Sequence, residues 1–181
     1  MKILKSVLCF CALVFMCNSI FAQGISNEAI KGQMIADWER AKVYTKEYLD
    51  AMPEDGMSFK PSPEIRSFAE QMLHMAQGTI GLIVSGTGAT PIFPGKSLEK
   101  MEELKSKNMC TKMVMESYDF AIQAIKNLDA SKLDSMVKRG NYEVTQYAWL
   151  NKAFEHQTHH RGQSTIYLRL KGIKPPNERL F

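Results

Sequence analysis

The stretch Thr145-Gln146-Tyr147-Ala148-Trp149-Leu150-Asn151-Lys152-Ala153-Phe154-Glu155-His156-Gln157-Thr158-His159-His160-Arg161-Gly162-Gln163-Ser164-Thr165-Ile166-Tyr167-Leu168-Arg169-Leu170-Lys171 reads as one long helix. Gly172 stops it and Pro175-Pro176 forbids its return. At ~100° per residue measured from His156, Trp149 falls at about +20°, His160 at about +40°, Gln163 at about −20° and Tyr167 at about +20°. These residues form one stripe, with aromatic rings above and below two histidines and a glutamine. That pattern describes a polar pocket set into an apolar core. Residues four apart lie about one turn apart on the same face, so the imidazoles of His156 and His160 can converge on one metal ion. His159, at about −60°, sits at the edge of the stripe as an alternative ligand or a surface imidazole.

Three further amphipathic segments accompany this helix. Ile30, Met34, Trp38, Ala41, Thr45, Tyr48 and Met52 recur at three- and four-residue intervals, predicting a helix over 27–52 that stops at Pro53. Residues 54–66, with Gly56, Pro61 and Pro63, form a connection. Ser67 followed by Glu70 is a capping box and starts a second helix, carrying Phe68, Met72, Met75, Thr79 and Leu82 and ending before the loop from Gly86 to Gly95. Ser97 is expected to cap a third helical region, whose apolar stripe Met113, Val114, Tyr118, Ala121, Ile125 and Leu128 is interrupted or bent at Asn108. A polar connection over 129–141, with one short helical turn, leads into the last helix. Almost nothing in the chain looks like a strand. Each apolar stripe must be buried against the others, so the fold class expected is all-α, a four-helix bundle with a metal site between helices.

The first 22 residues are set apart from this domain. Lys2 and Lys5 precede an apolar run from Val7 to Cys17 that is too short to span a bilayer, and Ala22 offers a cleavage site. Residues 1–22 therefore read as a secretory signal peptide and 23–181 as one bundle domain, exported to a periplasmic or extracellular space with no stable membrane insertion after cleavage. Cys9, Cys11 and Cys17 leave with the leader, so Cys110 alone remains and no internal disulfide can form. Loss of the two leader lysines leaves 21 basic against 19 acidic residues, a formal charge of +2, too small and too evenly mixed for a nucleic-acid surface. The methionines outside the leader fall at helical core spacing, which favours packing over a thioether copper site.

The third ligand expected is His74, on the second helix, where Gly78 and Gly81 lie one and two turns further along and leave room for a close helix or a bound molecule. The whole chain has four histidines, three of them within 156–160. Three neutral imidazoles suit zinc, nickel, copper or iron and leave coordination positions open, whereas a closed structural zinc site wants a fourth protein ligand that neither Cys110 nor a nearby carboxylate supplies. The zinc-protease motif needs Glu directly after the first histidine. Here that residue is Gln157, and Glu155 points about 100° away, so proteolysis is disfavoured.

Phe59-Lys60-Pro61, the run Ser67-Phe68-Ala69-Glu70-Gln71-Met72-Leu73-His74-Met75, the run His156-Gln157-Thr158-His159-His160-Arg161-Gly162-Gln163 and the end Tyr167-Leu168-Arg169-Leu170-Lys171-Gly172 together resemble the DinB-like (bacillithiol-transferase-like) superfamily of metalloenzymes. The resemblance covers essentially all of 23–181. It implies a four-helix bundle in which His74, His156 and His160 hold a divalent metal ion, nickel or zinc, and it implies homodimers. Relatives include transferases and isomerases that use low-molecular-weight thiols, scarce in an oxidising envelope. Gln163 would orient a ligand or a bound water from outside the coordination sphere, with His159 as a second such candidate, and Arg161 is expected to pair with an acid. The reaction expected is metal-dependent hydrolysis or group transfer on a small-molecule substrate. The alternative is a non-catalytic bundle that binds a metal or small ligand. For a general base the sequence offers only Tyr48, Asp37, Gln71 and His159.

Overall fold

The computed structural model describes residues 24–181, so the leader and its cleavage site lie outside the described residues. Four long helices make the body: α1 (Asn27–Ala51), α2 (Phe68–Thr87), α3 (Lys107–Lys126) and α4 (Gln146–Leu170). Each starts on a hydroxyl that accepts from a backbone N–H three residues on: Ser26 from Ala29, Ser67 from Glu70, Ser106 from Met109 and Thr145 from Ala148. At α2 the Glu70 carboxylate also accepts from the Ser67 backbone N–H at 2.8 Å, which completes the expected capping box. α2 runs to Thr87, past the predicted end, because the left-handed C-cap falls at Gly88 (φ 73°) and Gly86 is still helical.

α2 packs against both α3 and α4, and α1 packs against α3 and, less extensively, α4. Consecutive helices α1 and α2 therefore sit diagonally across the bundle. The centre is filled by Trp38, edge-on to Tyr118 (5.6 Å between ring centroids) and Phe154 (5.4 Å), with Phe68, Met72, Met75, Ile83, Ile125 and Leu150 fully buried around them. A polar thread crosses this core. Tyr118 Oη lies 2.6 Å from Thr45 Oγ1 and donates to Gln157 Oε1 (2.8 Å), which also accepts from Arg161 Nη1 (3.0 Å). The Arg161 guanidinium stacks 4.6 Å over the Tyr44 ring. The acid expected for Arg161 is thus replaced by an amide and an aromatic face, because its direction on α4 points it at α1.

Two other expectations change. Ser97 makes no side-chain cap; it precedes two 3-10 turns, Leu98–Lys100 and Glu102–Leu104, separated by Met101 in extended conformation (φ −91°, ψ 106°). Burial of Leu98 and Leu104 pins this segment to the bundle in short turns, so α3 begins only at Lys107, and Asn108 lies inside an unbroken first turn. The connection before α4 contains a hairpin, β1 (Met136–Arg139) antiparallel to β2 (Tyr142–Thr145), with Arg139 opposite Tyr142 and Gly140 (φ 55°) in the two-residue turn. Trp149 Nε1 donates to Val137 O at 3.1 Å, so this ring anchors the hairpin and does not cap the histidine pocket as the stripe suggested. Among the described residues no helix is long and apolar enough to cross a membrane.

Candidate metal centre

The buried face of α4 runs through Gln146, Trp149, Leu150, Ala153, Gln157, His160, Arg161, Ser164, Tyr167 and Leu168. At ~100° per residue its middle lies about 80° from His156. The histidine stripe is therefore the edge of the buried face that meets α2, on a flank of the bundle, and not the core position expected. There the α2 residue His74 meets both α4 histidines. Ring centroids lie 4.4 Å (His156 to His160), 4.7 Å (His74 to His160) and 5.6 Å (His74 to His156) apart, and one ring nitrogen from each falls within 4.8 Å of the others. These three residues form a group that can hold a metal ion.

Outer hydrogen bonds set two of the rings. His74 Nδ1 lies 3.2 Å from Glu99 Oε2, which also accepts from Arg66 Nε at 2.5 Å. His160 Nδ1 lies 3.1 Å from Gln163 Oε1 and 2.9 Å from Gln71 Nε2, and the two glutamine side chains bond each other. His74 Nδ1 directs its proton at the Glu99 carboxylate, whereas His160 Nδ1 is held between an amide donor, Gln71 Nε2, and a carbonyl acceptor, Gln163 Oε1. The third ring behaves differently. His156 Nδ1 is buried with no hydrogen-bond partner, an orphan polar atom of the kind a metal satisfies. Its ring fits only because residue 78 is glycine: a Cβ there would sit 2.2 Å from His156 Cε1, whereas at Gly81 a Cβ meets nothing within 4 Å.

Electrostatics keep the rings neutral. Burial, then the neighbouring imidazoles His74 and His159, push His156 down to about 4. Burial and the same imidazole crowding push His160 to about 4 against the opposing bond to Gln163. His74 is also lowered, by burial first and then by Arg66, with Glu99 opposing. Neutral nitrogens at neutral pH are the state a divalent transition ion requires. The donor set therefore fits such an ion.

The remaining sequence candidates divide. His159 is exposed, its ring 5.0 Å from that of His160, and it lies outside the three-nitrogen group. Gln71 joins Gln163 behind His160. Asp37 is tied to Arg40 at 2.9 Å on α1, and Tyr48 Oη bonds Thr165 Oγ1 at 2.9 Å, so neither points at the histidines. Cys110 is buried against Ala69 O with its thiol pushed up to about 12 by burial, and it lies outside the three-nitrogen group. Glu99 and Arg66 were absent from the sequence reading. Arg66 immediately precedes the α2 cap Ser67, and Glu99 reaches α2 from the 3-10 turn Leu98–Lys100.

Beside His160 opens a cavity of about 860 Å³ whose lining includes Ile65, Lys100, His159, Gln163, Ile166 and Tyr167. Tyr167 Oη donates to Arg66 O at 2.8 Å, which fixes the loop wall against α4.

The model of the DinB family matches residues 16–179 of the chain. Among solved structures, a DinB-like protein from Bacillus cereus is 20% identical with a TM-score of 0.69, covering 80% of this chain and 95% of that one. A DinB-like protein from Bacillus subtilis is 20% identical with a TM-score of 0.62, over 82% and 96% of the two chains. A conserved protein from Enterococcus faecalis is 15% identical with a TM-score of 0.57, over 81% and 98%. At these identities the likeness is one of fold. No curated protein matches the chain.

Proposed function

This chain belongs to the DinB family, and on that premise we propose that it is an exported metal-dependent enzyme acting on a small molecule by hydrolysis or group transfer. His74, His156 and His160 hold the ion, with nickel or zinc the metals of choice. The observation that carries this reading is the meeting of three neutral ring nitrogens within 4.8 Å on two helices, one of them otherwise orphaned. When bound, such an ion supplies Lewis acidity toward a polar atom of the substrate. The chain's own residues do the rest. Glu99 orients the His74 ring, Gln71 and Gln163 orient the His160 ring, Gly78 admits the His156 ring, and the cavity beside His160 seats the substrate.

The test is metal analysis of the purified mature protein beside His74→Ala, His156→Ala and His160→Ala. Loss of the ion in all three supports the ligand set, and full retention in the His74 variant removes that ligand. A hydrolase and thiol-transferase screen of the metal-loaded protein then separates the enzyme from a second reading, a non-catalytic metal or ligand binder. That alternative draws on one observation: of the four general-base candidates Asp37 and Tyr48 are engaged away from the site, and only Gln71 and His159 line the cavity beside it. Turnover that depends on the ion favours the enzyme.

Export rests on the Lys2/Lys5 leader pattern and is checked by N-terminal sequencing of the fractionated protein, where a start at Gln23 is expected. Homodimer formation is part of the same proposal and is checked by sedimentation, where a monomer at micromolar concentration would overturn it.

A further inference from the structure

The cavity beside His160 has an uneven lining. Its apolar wall includes Ile65 and Ile166, which stand 44% and 54% exposed with no protein over them. Isolated exposed aliphatics are ordinary, but two on one concave wall, joined by Pro61 and Tyr167, make a surface suited to an apolar ligand body. The charged groups are not evenly committed. Glu70 is fully engaged: Oε1 accepts from Lys105 at 2.8 Å, and Oε2 accepts from the Ser67 backbone N–H and lies 3.3 Å from Lys60. Glu99 is shared between Arg66 and His74. Lys100, by contrast, makes no ion pair among the described residues. Arg66 spends only Nε on Glu99, and its two terminal nitrogens have no acceptor among those residues. Glu64 is the one lining carboxylate without a basic partner; it accepts from Ser62 at 2.9 Å and is the group that opposes an anion here.

We propose that this cavity binds a small anionic amphiphile, its aliphatic or aryl body against Ile65 and Ile166 and its carboxylate or phosphate head on Lys100 and the terminal nitrogens of Arg66. This deepens the function proposed above by naming the substrate class of the same site, and it rests on that function only in setting the ligand beside His160. A cavity of about 860 Å³ lies within the size range of small-molecule pockets and accommodates a medium-chain body with its head group. Arg and Lys together suit either head, because the guanidinium pairs two oxygens in its plane and the ammonium adds a point charge.

The experiment is calorimetric titration of the metal-free mature protein with octanoate, octyl phosphate, octylamine and octanol. The anions are expected to bind about tenfold or more tighter than octanol and octylamine, a difference of ~1.4 kcal/mol. Lys100→Ala should erase the preference for the anions over octanol. Ile166→Asp should remove binding of all four, and Glu64→Gln should tighten the anions. All three positions are exposed, so a folded variant is expected, and melting curves verify it. Equal or tighter binding of octylamine overturns the proposal. So does anion binding that none of the three changes alters, or binding of neither octanoate nor octyl phosphate at millimolar concentration. Octyl phosphate binding without octanoate, or the reverse, identifies the head group and keeps the class. Because the protein is titrated without metal, a failed metal analysis leaves this result standing, and a failed titration leaves the histidine site untouched.

Discussion

His74 Nδ1 and Glu99 Oε2 lie 3.2 Å apart, joining the middle of α2 to a 3-10 turn 25 residues further along the chain. The contact does more than fill space. A carboxylate on the outer nitrogen fixes the ring's tautomer and raises the basicity of the inner nitrogen, the arrangement by which metal-ligating histidines are commonly tuned.

Removing that carboxylate should therefore weaken the metal without unfolding the protein. Glu99→Ala is expected to lower metal affinity by roughly 10- to 100-fold, the usual cost of losing such a partner. Glu99→Gln, which keeps an acceptor but not the charge, should fall between the variant and the native protein. Competition with a chelator of known affinity reads the change. Unaltered affinity in both variants would mean that Glu99 serves only its pair with Arg66.

Two glycines on one helix provide a matched contrast. Alanine at Gly78 places a Cβ 2.2 Å from His156 Cε1, and the yielding element is a side-chain ring, so the helix persists while the ring turns away. Gly81→Ala meets nothing within 4 Å and gains helix propensity, about 0.5–1 kcal/mol. Gly78→Ala is thus expected to lose the ion while melting close to the native temperature, and Gly81→Ala to keep the ion and melt higher. Equal metal content in the two variants would contradict the placement of His156.

The parts of this structure that were legible in the sequence are those set by local spacing. Ser67 and Glu70 are three residues apart, and their reciprocal bonds form from the helix geometry alone. His156 and His160 share a face for the same reason, and His74 is the one histidine outside their helix that can join them. Where two local signals compete, the choice belongs to packing. Ser97 and Ser106 both precede helical residues, and burial of Leu98 and Leu104 on either side of extended Met101 decides for Ser106. The hairpin had a readable turn, Gly140-Asn141 between Val137 and Val144, but its strands are four residues long and largely exposed, so they carry almost no periodic signal. Glu99 and Arg66 could not be found this way. Their role arises where the chain crosses itself, and no spacing rule links position 99 to position 74.

The buried thread through Gln157 predicts a stability effect separable from the metal. Gln157 Oε1 accepts from both Tyr118 and Arg161, and the tyrosine hydroxyl is pushed up to about 12, chiefly by complete burial. Gln157→Leu would leave Arg161 Nη1 without its acceptor and the Tyr118 hydroxyl with Thr45 Oγ1 alone. A loss of about 1–3 kcal/mol is expected, toward the upper end because one donor is charged. Urea unfolding measures it. The ion content per folded molecule should not change, since Gln157 points about 100° from His156; loss of the ion in a folded variant would refute this division of labour on α4.

Glu70 sets the acid limit of the helix that carries His74. Burial raises its carboxyl, but bonds from Lys105, the Ser67 backbone N–H and Lys60 outweigh that and bring it down to about 2, below its ordinary 4.5. A group whose folded value is depressed contributes stability that is fully present above the unfolded value and disappears as pH falls through the folded one. The side chain is 20% exposed, so solvent screens part of the effect, and about 1–2 kcal/mol is a fair expectation, comparable to the loss of a helix cap. The native protein should accordingly lose stability between about pH 4.5 and pH 2. Glu70→Gln should be less stable at pH 7 and show a shallower decline over that interval, because it has no proton to take up. Melting temperatures of both proteins at pH 7, 4.5 and 3 test the sign. Parallel curves would show that the capping box and its lysines hold α2 without any contribution from the carboxylate charge.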